Sequence, residues 1–92
     1  MAVTSDRIRE RATADFGPRA FRIVTRLEQL DVSPGVDAER LHAAILIAAR
    51  ANLSMIDDAF EHAASDWRDL LDRAGLAGDD WRDQLDGALG RA

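Results

Sequence analysis

Seven consecutive apolar residues, Ala43-Ala-Ile-Leu-Ile-Ala-Ala49, constrain this chain most. A helix through them has no polar side, and such a helix must be covered on several sides by others. It is too short to span a bilayer: the apolar stretch Leu41 to Ala51 includes His42 and Arg50. The spacing therefore predicts a central buried helix over about 38–51, capped by Asp37. Ile45, Leu41, Ile47 and Ala48 are expected to be inaccessible.

Glycine, proline and capping residues divide the rest into short helices. The first is predicted over Asp6 to Phe16, with Ser5 or Thr4 as cap and a stripe of Ile8, Ala12 and Phe16. Gly17 ends it and Pro18 restarts the chain. The second runs to about Leu30. Ala20, Phe21, Ile23, Val24, Leu27 and Leu30 are assigned to its inner face, and Arg19, Arg22 and Arg26 to the other. The segment Asp31 to Asp37 contains Pro34-Gly35 and reads as a loop. Asn52 suits a left-handed helix end. Ser54 with Asp57 resembles a capping box. The fourth helix then turns Met55, Ile56, Ala59, Phe60 and Ala63 inward.

The last two helices nearly repeat one another. Asp66-Trp-Arg-Asp-Leu-Leu-Asp-Arg-Ala74 matches Asp80-Trp-Arg-Asp-Gln-Leu-Asp-Gly-Ala88. Two copies this short make a helical hairpin, not a solenoid. Ser65 or Asp66 is expected to cap the first and Asp79 the second. Trp67 and Trp81 are expected to wedge into the core, each with Leu four residues on, while Arg68 and Arg82 point outward and pair with Asp. The rival reading makes Trp81 an exposed anchor for a partner.

The fold class expected from these pieces is all-α. It is a single domain, residues 1–92, built as a compact orthogonal bundle of five to six short helices around helix 38–51, with a C-terminal hairpin and mobile ends at 1–5 and 90–92. The chain has no Cys, so packing alone must hold it and thiol chemistry is excluded. Every basic residue is Arg, which suggests GC-rich bacterial codon usage. The stretch Met1 to Asp6 lacks the apolar run of a signal peptide, and a cytoplasmic location is expected.

The net charge of −5 is unevenly placed. Residues 1–50 carry eight Arg against seven acids, a net +1; residues 51–92 carry four Arg against ten acids, a net −6. An acidic whole disfavours nucleic acid, and acids at the start of the last helix would repel phosphate. Catalytic signatures are missing: there is no phosphate-binding glycine loop and no nucleophile elbow. Of the two histidines, His42 is expected to be structural. Asp58, His62 and Asp66 share one helical stripe and form an outside metal candidate; a solvated acidic face is the plainer reading. No catalytic residue, cofactor or small-molecule substrate is inferred.

The expectation is a non-enzymatic helical protein-interaction module that contacts another protein or itself. Its candidate partner surface comprises Arg19, Arg22, Arg26 and Trp81. The alternative is a nucleic-acid-associated regulator that uses the Arg stripe.

Overall fold

Ser5 starts the first helix by accepting a hydrogen bond from the Ile8 N–H. Helix α1 (Asp6–Phe16) buries Ile8, Ala12 and Phe16, the expected stripe. Gly17, at φ +57°, closes it with its N–H on the Thr13 carbonyl, and Pro18 lies in a 3-10 turn, Gly17–Arg19. Helix α2 (Ala20–Gln29) follows and buries Ala20, Ile23 and Leu27. The computed structural model describes residues 3–90. The expected mobile ends include residues 1, 2, 91 and 92, which lie outside the described residues.

Phe21 corrects the expected inner face of α2. It is 79% exposed. Along a helix it stands about 100° from Ala20 and twice that from Ile23, so it falls outside the stripe that faces the core.

Helix α3 (Ala38–Ala49) begins at Asp37, whose carboxylate accepts from the Arg40 N–H at 3.0 Å. Leu41 through Leu46, Ala48 and Ala49 are all buried. The helix touches α1, α4 (Leu53–Ser65), α5 (Trp67–Arg73) and α6 (Trp81–Leu89), which is the central place its apolar girth requires. Ile47 alone of the four residues expected to be inaccessible is half-buried.

The junction between α3 and α4 differs from the sequence expectation. Arg50 and Ala51, not Asn52, take the left-handed conformation, at φ 51° and 57°. Asn52 is extended and caps α4, accepting from the Ser54 N–H at 2.8 Å. Ser54 is therefore inside the helix and not its cap. Asn is as good a cap as Ser, and the tight reversal puts it at the helix start. Left-handed backbone costs a residue with a Cβ about 1–2 kcal/mol. Ala51→Gly is accordingly expected to stabilise the fold by about 1 kcal/mol, a rise in Tm of about 4–8 °C. An unchanged or lower Tm in a thermal melt would show that the reversal stores no strain.

Asp66 caps α5 through the Asp69 N–H, and α6 starts after Asp80 instead of Asp79. The two near-repeats do not form the expected hairpin. Helix α5 packs on α3 and α4, whereas α6 packs on α3 and α1. The cause is in the apolar residues. Leu70, Leu71 and Leu85 are buried, and so is Leu76 in the connector. All four are served by the common core, and neither short helix has a second apolar face to offer the other. Among the described residues every regular element is helical, and no helix is long and apolar enough to cross a membrane.

Candidate functional site

The Arg stripe lines a groove between α2 and α4. Pro18 and Arg19 come from the 3-10 turn, Arg22, Ile23 and Arg26 from α2, and Leu53, Ile56 and Asp57 from α4. Its volume is about 570 Å³. Ile23 and Ile56 are buried in its floor, and Leu53 is 39% exposed at its edge. The groove exists because α2 packs chiefly on α1 while α4 packs on α3 and α5, leaving little contact between α2 and α4 themselves.

The three arginines are not equivalent. Arg26 donates to the Asp57 carboxylate at 2.6 Å and lies 4.0 Å over the Phe60 ring. It is a strut across the groove. Arg19 and Arg22 are exposed and enter no ion pair or hydrogen bond among the described residues. Of the three, they are the available cations. Arg7 and Arg11, from the same basic half, are occupied elsewhere. Arg11 pairs with Asp15 at 2.8 Å, and Arg7 reaches Glu39 and Asp86.

Trp81 lies apart from this groove. It is half-buried, with the Arg40 guanidinium 5.0 Å from its ring centre and that of Arg82 at 4.4 Å. Arg40 is held in turn by the Leu76 carbonyl at 2.8 Å. Trp67 is also half-buried, under Arg68 at 5.1 Å. Arg68 and Arg82 thus cover their neighbouring indoles and make no ion pair among the described residues, contrary to the pairing expected of them. An exposed carboxylate pair is worth little, about 0–1 kcal/mol, and a cation over an indole face gains a similar amount while covering apolar surface. The exposed large apolar side chains are instead Val3, Phe21 and Leu53. The apolar side chain of Phe21, between Ala20 and Ile23, looks like a core residue in the sequence, which hides its exposure.

The metal stripe comes apart. Asp58 pairs with Arg73 at 3.1 Å, His62 Nε2 lies 2.8 Å from Asp69, and Asp66 is used as a cap. Among the described residues no group of three or more His, Asp or Glu is placed to hold a metal ion.

His42 is fully buried, and neither ring nitrogen makes a hydrogen bond; Thr4 Oγ1 is likewise buried and unpartnered. Burial pushes the His42 pKa below its ordinary 6.5. The Leu27 backbone, close by but outside hydrogen-bond geometry, and the charges of Glu28, Asp37 and Glu39 pull it back without offsetting that. The unfolded chain takes up this proton near pH 6.5 and the folded chain does not. Stability from His42 is therefore complete above pH 6.5 and is lost as pH falls below it, by at most about 1.4 kcal/mol per unit. Urea unfolding of the wild type and of His42→Leu, compared from neutral to acid pH, should give curves that diverge below pH 6.5. Parallel curves would contradict a buried neutral imidazole.

No protein-family model, curated protein or solved structure matches this chain.

Proposed function

We propose that this chain is a non-enzymatic protein-interaction module and that the groove between α2 and α4 is its contact face. One observation carries this: Arg19 and Arg22 stand exposed and unpaired across the groove from Leu53, itself 39% exposed above the buried Ile23 and Ile56. Most other arginines of the described chain are satisfied internally, by carboxylates, carbonyls or aromatic rings. Cations left free beside apolar surface fit a partner that brings both carboxylates and apolar side chains. The same reading takes the helices as an orthogonal bundle, in which α2 rests on α1 and α4 on α3. The proposed place of action is the cytoplasm.

A nucleic-acid role is the second reading, and the same two arginines favour it. Against it stand the net charge of −5 and the apolar floor, which phosphates have no use for. Fluorescence anisotropy with labelled duplex DNA and RNA at low salt separates the two. The expected result is no binding at micromolar protein. Tight binding that weakens steeply with salt would make the nucleic-acid role the better one.

A further inference from the structure

We infer that the occupant of the α2–α4 groove is an acidic, amphipathic segment of a different protein, with apolar anchors at helical spacing. The inference rests on the groove being a protein-contact face. Its charge follows from the lining. Arg26 and Asp57 neutralise one another, which leaves the two positive charges of Arg19 and Arg22. Its shape follows from the two helices. Arg19 and Arg22 lie three residues apart on one wall, and Leu53 stands 39% exposed on the other, above the buried floor of Ile23 and Ile56. A helix laid between them can put carboxylates toward the first wall and apolar side chains toward the second.

A second copy of this chain is the obvious rival, because residues 51–92 carry ten acids. That acidic half is poorly made for the groove. Asp58, Asp69 and Asp86 are already paired with Arg73, His62 and Arg7. Its large apolar side chains Leu70, Leu71, Leu76 and Leu85 are buried, and the described residues after Leu53 include no exposed large apolar side chain. The acidic half can offer charge to the groove but no anchor. A bare phosphate or other small anion would meet the arginines and leave the floor uncovered.

The test is a displayed library of random peptides about 16 residues long, enough for about four helical turns. It is panned on the full chain and counter-selected on the Arg19→Glu/Arg22→Glu variant. Both residues are exposed, and matching circular dichroism and Tm would verify that the variant folds. The expected winners are net acidic, with apolar residues at three- and four-residue spacing. They should bind the variant about tenfold more weakly or worse, and peptides with Lys in place of the acids should recover binding to it. Winners that are neutral or basic, or that bind both proteins equally, would overturn the acidic occupant and leave an interaction module with a different face. Sedimentation showing self-association that the double variant abolishes would overturn it in favour of a second copy. A library that yields no binder at all would overturn the contact face and the occupant together.

Discussion

Replacing Ile45 by Ala is expected to lower the unfolding free energy by about 2–5 kcal/mol. Ile45 is fully buried in the middle of α3. Its neighbours along the helix, Leu41, Ala44, Ala48 and Ala49, are also buried, so the face of α3 around Ile45 is packed and leaves the site little room to collapse. The lost side-chain atoms forfeit their transfer free energy and leave a cavity as well. A domain of this size has about 5–15 kcal/mol in total. The variant should therefore unfold at much lower urea, and a marginal wild type would leave it largely unfolded. A loss under about 1 kcal/mol would mean that α3 is peripheral.

Arg7→Ala is expected to cost about 2–3 kcal/mol, a large effect for a charged residue. Arg7 Nε and Nη2 each donate to a Glu39 oxygen at 2.8 Å, and Nη1 donates to Asp86 and to the Gly90 carbonyl. One side chain thus ties α1 to α3 and α6. Only 12% of it is exposed. Removing it strands Glu39, 26% exposed, and Asp86, 38% exposed, without their cation. Water can still reach both, so the cost falls below the 3–5 kcal/mol of a fully buried pair. Arg7→Lys should lie between, because an ammonium cannot make the two-pronged contact. The pH dependence has a definite sign. The Arg7 guanidinium holds the Glu39 carboxyl below its ordinary 4.5, aided by the Ser5 hydroxyl and opposed by burial. The pair's contribution is present above that pH and is lost as pH falls through the lowered value. The stability gap between wild type and Arg7→Ala should therefore narrow in acid. A gap that stays constant would assign the effect to lost packing of the Arg stem.

The arginines show where sequence reasoning reaches and where it stops. Local signals gave the helices: Ser5 and Asp37 as caps, Gly17 as a stop, and the apolar girth of residues 43–49 as a centre. They placed Arg19, Arg22 and Arg26 together on one face, which the structure brings to one groove. They could not tell that Arg26 is tied to Asp57 while the other two are free. Arg7 and Asp86 are 79 residues apart, and no periodicity links them. The near-repeat of α5 and α6 suggested a hairpin, but a repeat fixes only which face of each helix is apolar, not which neighbour that face meets. Asn52 caps α4 instead of ending α3, and the sequence alone does not decide between these because Asn serves both as a left-handed helix end and as an N-cap. The burial of His42 without a partner opposes the usual rule for polar groups, and no sequence pattern announces it.

The most direct measurement places a photo-crosslinking amino acid, p-benzoylphenylalanine, at Leu53 at the edge of the groove, and irradiates cells that carry the gene. A control places it at Asp72, on α5 and exposed. A discrete protein adduct at position 53, absent at position 72 and abolished by Arg19→Glu/Arg22→Glu, is the predicted result. Adducts to nucleic acid at position 53, or the same protein adducts from both positions, would contradict a protein-binding groove between α2 and α4.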